Sequence, residues 1–417
     1  MKEVEEVLEK QLKLVIPSKE ELNKINKISK EFQFELSKKL KKNKIKAEVF
    51  LGGSLAKNTL VKKDFYDIDI FVRFDKSYND KISSISGKLF KNYKKIHGSR
   101  DYYQNNIDNI LIEIIPVIKI NKPEEAKNVT DLSYFHVNYI LSKIKKDKNL
   151  INEICLAKFF THAQNVYGAE SYIHGFSGYA LELLIIHYKS FINFIKEISK
   201  TDFSKSKLII DSEKCYKDNE EVLALINPSK TFSPIILVDP TFRERNALSS
   251  LSYETLYRFQ KSARLFLKKP SREFFIQKRI EDDFKNPNTK TITIKTNKQS
   301  GDVAGTKSRK FYNFLIRELI KEFNIKKDGF EYLENENIAK IYLILKEKKP
   351  TEVKGPPIKY KKNLAEFKAK HKNIIIKNYY AYTILEHNLT FKEWLNKFKK
   401  NNSKIIREMG IVNISLY

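Results

Sequence analysis

The feature that most constrains the fold of this chain is a short stretch in which acidic and apolar residues alternate. Asp67 and Asp69 alternate with Ile68, Ile70 and Val72. Successive side chains of a β-strand point to opposite faces, so both aspartates fall on one face and the apolar residues on the other. Two carboxylates on one face repel each other unless cations lie between them. The stretch therefore predicts a strand that buries one face and binds divalent cations on the other.

A glycine-rich segment precedes this strand at a defined spacing. Gly52, Gly53 and Ser54 are followed by twelve residues and then by Asp67, which gives the pattern G-S-x12-D-x-D. Glycine has no Cβ, so its backbone N–H groups can approach phosphate oxygens closely, and Ser54 adds a hydroxyl donor. Mg²⁺ prefers hard oxygen ligands. The pattern predicts a phosphate-binding turn beside a two-metal site; the alternative is an ordinary Gly-Gly turn before a surface strand.

A second apolar run, residues 110–116, contains a single charge at Glu113. A carboxylate in a buried run is costly unless it is paired or binds a metal. We therefore predict that Glu113 joins Asp67 and Asp69 as a catalytic, metal-binding triad and holds the ion that activates an attacking hydroxyl. The alternative is a glutamate at a strand edge that reaches water.

The length and charge of the chain limit its class. A chain of 417 residues exceeds one ordinary core, which suggests two to four domains. Its net charge of +28 favours a nucleic acid over a small-molecule acceptor, although a composition rich in Lys, Ile and Asn also reflects genome base composition. Cys155 and Cys215 form neither a disulfide framework nor a zinc spacing. With no membrane-spanning run or signal peptide, we expect a soluble, cytoplasmic protein.

The first two hundred and seventy residues read as an α+β unit followed by a helical one. A capping box at Ser18 and Glu21 starts the second helix. A segment rich in glycine and aromatic residues, 167–179, is either a tight connection or a surface for a base and ribose. The remaining predicted elements are helices over 2–14, 152–199 with that interruption, and 250–268, and strands over 47–51 and 235–240.

The following stretch, 270–350, reads as a smaller β-α-β-β unit, with a strand at 290–296. A helix over 306–324 has an inward side consisting of Phe311, Leu315, Leu319 and Phe323. Offsets of 7 and 11 return to one side of a helix, so the opposite side carries three cations, Lys310, Arg317 and Lys321. These cations are candidate RNA contacts, and a solvated charged face is the alternative. A turn at 355–357 opens the last segment.

Motifs spread along nearly the whole chain match one family. Besides G-S-x12-D-x-D, which many nucleotidyltransferases share, the more specific motifs are residues 112–116, 130–136, 166–170, 174–179, 238–240 with Arg245 and Asn246, and 355–357. In these motifs the chain resembles the archaeal-type (class I) CCA-adding enzymes, which are tRNA nucleotidyltransferases of the polymerase-beta-like superfamily.

The resemblance implies a multidomain α+β fold with a polymerase-beta-like palm. Its domains would be a catalytic head at 1–145, a helical neck at 146–205, a body at 206–269 and 351–417, and a ferredoxin- or RRM-like tail at 270–350 that binds tRNA. It implies untemplated addition of C, C and A to the tRNA 3′ end from CTP and ATP, with Mg²⁺ as cofactor and release of pyrophosphate. The tRNA would be held by its acceptor stem and 3′ end, and a homodimer is left open.

Other functions compete with this interpretation. A poly(A) polymerase or an oligoadenylate synthase would use the same triad on another acceptor with ATP alone. A non-catalytic RNA-binding protein would keep the fold without turnover, and the intact acidic triad argues against it.

The resemblance also implies individual roles. The positions that match nucleotide contacts are Gly53, Ser54, Lys57, Ser133, His136, Lys158, Tyr167 and Arg245. Three residues depart from the family pattern: Glu113 replaces an aspartate, Ser133 a threonine and Lys57 a frequent arginine. From chemistry alone, His136 is equally a structural histidine, Lys158 a surface residue, and Arg245 a partner of Glu244.

Overall fold

The computed structural model describes residues 2–63, 65–98, 100–371 and 373–417. The chain divides into two compact units, one ending at Lys278 and one running from Arg279 to Tyr417. Helices and sheets are both present, which confirms a multidomain α+β fold. This division groups 351–417 with 279–350, whereas the resemblance implies a body domain that joins 351–417 to 206–269. The finer division into head, neck, body and tail stays a prediction.

The elements of the first unit follow the sequence pattern closely. Its helices include α1 (Lys2–Val15), α2 (Lys19–Lys42), α3 (Gly53–Ala56), α4 (Ile82–Leu89), α5 (Ser133–Lys146), α6 (Leu150–Ala163), α7 (Gly178–Tyr188), α8 (Phe191–Lys200), α9 (Asn219–Leu225) and α10 (Tyr253–Lys268). Its strands include β1 (Ala47–Leu51), β2 (Tyr66–Phe74), β3 (Lys94–Ile96), β4 (Tyr102–Ile107), β5 (Ile110–Ile118), β6 (Leu208–Ile210), β7 (Ile235–Asp239) and β8 (Phe242–Asn246). The predicted capping box is confirmed, because Ser18 Oγ accepts from the Glu21 N–H and Glu21 accepts from the Ser18 N–H.

One mixed sheet carries the acidic strand. Its strand order is β1-β2-β5-β4-β3, and within it β2 and β5 run parallel. Ile68, Ile70 and Val72 are fully buried, as the alternation predicts. They share one core with residues of α2, including Ile25 and Leu36. Burial of this face leaves the aspartate face of β2 on the other side of the sheet.

A helical core rich in phenylalanine follows. α6, α7, α8 and α10 contribute to it, and Phe160, Phe194 and Phe259 are fully buried there. The segment rich in glycine and aromatic residues before α7 folds back tightly on itself, because the Phe176 N–H donates to Val166 O at 2.9 Å. Gly175 is required at this crossing, since a Cβ there would lie 2.1 Å from Val166 O.

The second unit contains two antiparallel sheets. Its elements include β9 (Thr289–Thr296), α11 (Asp302–Leu319), β10 (Phe323–Leu333), β11 (Ile338–Glu347), β12 (Thr351–Pro357), α12 (Lys361–Lys370), β13 (Ile374–Lys377), β14 (Tyr380–Leu385), α13 (Phe391–Asn401), α14 (Ser403–Glu408) and β15 (Ile411–Leu416). The strand orders are β10-β11-β9-β15 and β12-β14-β13. The β-α-β-β prediction is confirmed, and β15 adds a fourth strand to its sheet.

Two predictions for this unit are wrong in detail. The helix predicted over 306–324 begins at Asp302 and ends at Leu319, so Phe323 is buried from a strand and Lys321 lies beyond the helix. An apolar residue at helical spacing just past a helix end cannot be told from a helical one by periodicity. The 355–357 turn is part of β12, where Gly355 makes room for the Phe367 ring, 2.6 Å from its would-be Cβ.

Within the described residues, every helix is too short or too polar to cross a bilayer.

Candidate active site

The acidic face of the sheet is built by strand register. In the parallel pairing of β2 with β5, Asp69 lies directly opposite Glu113, and Asp67 precedes it by two residues on the same face. Burial raises the pKa of Asp69 and the neighbouring Asp67 carboxylate raises it further, against the opposing effect of Lys57 and other lysines. The predicted convergence of three carboxylates on one sheet face therefore has a backbone basis.

The glycine-rich segment presses against this face. The Gly52 N–H donates to the Asp69 carbonyl at 2.8 Å, and Gly53 adopts a positive φ of 61°. A Cβ at Gly53 would lie 1.7 Å from Asp69 Oδ2. The predicted turn continues as the single helical turn α3, in which Ser54 is half-buried. Gly53 thus lies directly beside Asp69, and Ser54 follows it on α3.

The side chains of the acidic face have protein partners in this structure. Lys63 Nζ contacts Asp67 Oδ2 at 3.3 Å, and Gln104 Nε2 donates to Glu113 Oε1 at 2.8 Å. Throughout residues 2–63, 65–98, 100–371 and 373–417, no three His, Cys, Asp or Glu side chains are grouped closely enough to hold a metal ion. The donors nonetheless fit a hard divalent cation, because they are carboxylate oxygens that share one face.

A buried ionic cluster lies next to the acidic face. Glu182 on α7 is fully buried and accepts from Lys57 Nζ at 2.7 Å and from Lys158 Nζ at 2.8 Å. Lys158 also donates to Thr59 Oγ1 at 2.8 Å. Lys158 is therefore not a surface residue, which overturns that alternative. The cluster joins the chain after α3 to helices α6 and α7.

The charges of this cluster depend on one another. Burial opposes ionisation of Glu182, yet Lys158 and Lys57 hold its pKa below the ordinary value. Burial likewise opposes protonation of Lys158, but Glu182 holds the pKa of Lys158 above its ordinary value. The pKa of Lys57 is lowered by burial. One buried glutamate thus pairs with two buried lysines.

Tyr167 completes this side of the site. Its ring stacks on His162 with 3.7 Å between centroids, and a Cβ at Gly178 would lie 2.8 Å from its hydroxyl oxygen. Burial raises the pKa of Tyr167, which keeps its hydroxyl protonated as a donor. Asp69 and Lys158 both act electrostatically on Tyr167, so the ring lies close to both groups.

A second buried carboxylate, Asp239 at the end of β7, organises another group of predicted site residues. Asp239 Oδ2 lies 3.2 Å from His136 Nε2 and accepts from Arg245 Nη1 at 2.6 Å. His136 stacks on Tyr179 with 4.0 Å between centroids. Burial lowers the pKa of His136, although Asp239 opposes this effect. Arg245 is therefore paired with Asp239 rather than with Glu244.

The remaining predicted positions divide between the two units. Ser133 begins α5 one turn before His136, so the two lie on neighbouring positions of one helix face. The three cations predicted to contact RNA lie in the second unit and are exposed. Arg317 Nε and Lys321 Nζ both approach Glu318, at 3.8 and 2.7 Å, and so share one counter-charge. Lys310 lies earlier on α11.

Comparison with known proteins identifies the family. The nucleotidyltransferase domain family matches residues 25–136, and the second domain of tRNA nucleotidyltransferases matches residues 152–276. A CCA-adding enzyme of Nanoarchaeum equitans is 38% identical over 285 residues, covering 66% of this chain and 69% of the relative. A CCA-adding enzyme of Methanocaldococcus jannaschii is 31% identical over 406 residues, covering 92% of this chain and 88% of the relative. The chain belongs to the family of CCA-adding enzymes. It is accordingly a tRNA nucleotidyltransferase.

Solved structures share the fold of this enzyme. A cytoplasmic RNA terminal U-transferase aligns with a TM-score of 0.51 at 14% identity, covering 67% of this chain and 100% of that one. A poly(U) polymerase aligns with a TM-score of 0.51 at 15% identity, covering 65% of this chain and 98% of the polymerase chain. At these identities the likeness shows the fold alone.

Two residues that contact the predicted positions, Glu182 and Asp239, were not predicted from the sequence. Glu182 is a lone charge in the apolar run of α7, which is the same signal that drew attention to Glu113. Asp239 belongs to a motif of the resemblance, but its local sequence gives no sign that it meets His136, 103 residues away.

Proposed function

We propose that this enzyme adds C, C and A in turn to the 3′ end of tRNA from CTP and ATP, without a template and with release of pyrophosphate. The observation that carries the proposal is the register of Asp69 opposite Glu113 beside Gly53, in a chain of the CCA-adding family. The 3′-hydroxyl of the tRNA loses its proton to water as its oxygen attacks the α-phosphate of CTP or ATP, and the bond from that phosphate to pyrophosphate breaks.

Asp67, Asp69 and Glu113 would hold two Mg²⁺ ions. When bound, these ions would neutralise negative charge on the triphosphate and make the tRNA 3′-hydroxyl more acidic. Bound ions would compete with Lys63 for Asp67 and with Gln104 for Glu113, because both protein partners contact carboxylate oxygens. The chemistry of the donors and their common face support this assignment.

The remaining residues would bind and orient the nucleotide. Lys57 and Lys158 present positive charge to the triphosphate, with Glu182 fixing both ammonium groups. Ser54 and Tyr167 add hydroxyl donors, and Ser133 and His136 add polar groups from α5. Arg245 keeps donors beyond the one given to Asp239, because a guanidinium carries five N–H groups.

A gel assay tests the reaction. A tRNA transcript lacking its last three nucleotides, incubated with Mg²⁺, CTP and ATP, should grow by three nucleotides, and with CTP alone by two. A poly(A) polymerase or an oligoadenylate synthase would instead use ATP alone. Binding of tRNA without any Mg²⁺-dependent extension would contradict the proposal.

Asp69→Ala should reduce CMP incorporation below detection while tRNA affinity stays within about twofold, because the substitution removes a metal ligand and leaves the RNA-binding surface in place. Asp67→Ala should behave in the same way. Asp80→Ala, which removes an exposed carboxylate of the same unit, is the matched control and should keep wild-type activity. Incorporation by Asp69→Ala at the control rate would refute the assigned role.

A further inference from the structure

Asp239 receives more hydrogen bonds than its position at the end of a strand requires. The side chain is fully buried, and its two oxygens have different partners. Oδ1 accepts from the Tyr179 hydroxyl at 2.9 Å, from the Thr241 N–H at 2.9 Å and from Thr241 Oγ1 at 2.8 Å. Oδ2 has two hydrogen-bond partners among the described residues, and both are predicted nucleotide-binding residues: His136 Nε2 at 3.2 Å and Arg245 Nη1 at 2.6 Å.

This division separates a structural oxygen from a functional one. The Oδ1 bonds close the turn after β7 and fix the Tyr179 ring, on which His136 stacks. The Oδ2 bonds set the direction of two side chains that retain access to solvent, since those of His136 and Arg245 are 12% and 23% exposed. A charge-assisted bond to a fully buried carboxylate is strong and directional.

The carboxylate also determines which ring nitrogen of His136 carries the proton. An ionised carboxylate only accepts hydrogen bonds, so His136 Nε2 must donate to Asp239. Burial keeps His136 neutral, and Nδ1 is then an acceptor. A neutral Nδ1 suits a sugar hydroxyl donor better than a phosphate oxygen.

We propose that Asp239 is a positioning residue that holds His136 as its Nε2–H tautomer and Arg245 in one orientation, so that both meet the incoming nucleoside triphosphate. This inference rests on the proposed function, because it takes the ligand of that site as its target. Asp239 itself contacts neither the nucleotide nor the reacting atoms.

Asp239→Asn tests the functional oxygen separately. An amide oxygen in place of Oδ1 can keep the bonds to Tyr179 and Thr241, whereas an amide NH₂ in place of Oδ2 faces two donors. The KM for CTP should rise about ten- to a hundredfold, the range expected for the loss of a charge-assisted bond. Thr241→Val removes the hydroxyl bond to Oδ1 and leaves both Oδ2 bonds in place, so it is the matched control and should change KM less than about twofold.

A double-mutant cycle separates positioning from general destabilisation. If Asp239 acts through Arg245, the effect of Asp239→Asn on KM should shrink at least threefold when Arg245→Ala is already present. An equal effect in both backgrounds, or an unchanged KM in Asp239→Asn, overturns the proposal.

Two measurements keep the test independent of folding and of the reaction. In wild-type protein, ¹⁵N-histidine spectra should show a protonated Nε2 and a bare Nδ1 at His136, assigned with His136→Gln; the opposite tautomer overturns the proposal even if Asp239→Asn does not fold. If the wild type fails to extend tRNA, the proposed function fails, whereas equilibrium binding of CTP to wild type and Asp239→Asn still tests Asp239.

Discussion

A methyl group at Gly53 would collide with the Asp69 carboxylate, since its carbon would lie 1.7 Å from Oδ2. Gly53 also has a φ of 61°, which costs other residues about 1–2 kcal/mol. In Gly53→Ala the carboxylate must therefore move by about 1 Å or more, and such a misplacement lowers kcat roughly a hundredfold. Single-turnover CMP addition measures this loss.

Gly87→Ala is the control for this substitution. Gly87 lies on α4, and its added Cβ would meet Tyr103 Oη at an ordinary 3.7 Å. This variant should keep wild-type kcat and change the free energy of unfolding by no more than about 1 kcal/mol. Wild-type kcat in Gly53→Ala would show that Asp69 does not need its observed position.

At the scale of elements, the end of α6 makes stability depend on pH. Burial lowers the pKa of His162 from 6.5 to about 3, assisted by Lys63 and Lys158. His162 therefore becomes protonated near pH 6.5 in the unfolded chain but only near pH 3 in the folded protein. Because the unfolded state binds the proton first, the free energy of unfolding falls as the pH drops from 6.5 to 3. Between pH 7 and 5 the loss from this one group amounts to about 2 kcal/mol.

His162→Phe should remove that part of the loss, because phenylalanine does not titrate and keeps a ring on Tyr167. Urea unfolding at pH 7 and pH 5 measures the difference, and His174→Phe, at a histidine on the connection before α7, is a control for general effects of losing a histidine. An identical drop in stability for His162→Phe and the wild type would contradict the assignment.

The elements also show what the sequence can and cannot predict. Alternation alone placed Asp67 and Asp69 on the open face of β2, because period-two burial is a local property. The cluster of Lys57 and Glu182 joins residues 125 positions apart, which no local period reveals. The predicted end of α11 is wrong because a local period misleads there. Phe323 continues the spacing of apolar residues typical of a helix, although it is already the first residue of β10.

At the scale of the whole molecule, the net charge of +28 predicts a strong dependence of tRNA affinity on salt. Each phosphate contact releases counterions, so the affinity should fall by on the order of a thousandfold between about 50 and 200 mM salt. Lys310→Ala should reduce the log–log slope by about 1 if Lys310 contacts a phosphate. Filter binding at several salt concentrations measures the slope.

Lys321→Ala is the comparison for Lys310→Ala. Lys321 already pairs with Glu318 at 2.7 Å, so its removal should alter the slope less. An affinity that is constant over this range of salt would contradict a phosphate-dominated interface, and equal slopes for wild type and Lys310→Ala would remove Lys310 from it.

The parallel pairing of β2 with β5 has a consequence for how this enzyme tolerates insertions and deletions. Residues 75–109 connect the two strands and include α4, β3 and β4. The length of this connection does not determine which residue of β5 lies opposite Asp69. A single residue lost within β5 before Glu113, by contrast, would turn that carboxylate into the core and bring a neighbouring isoleucine to the ion-binding side. Residues can therefore be inserted between β2 and β5 without changing which residue faces Asp69, whereas a one-residue change within β5 reverses which side chains face the ions.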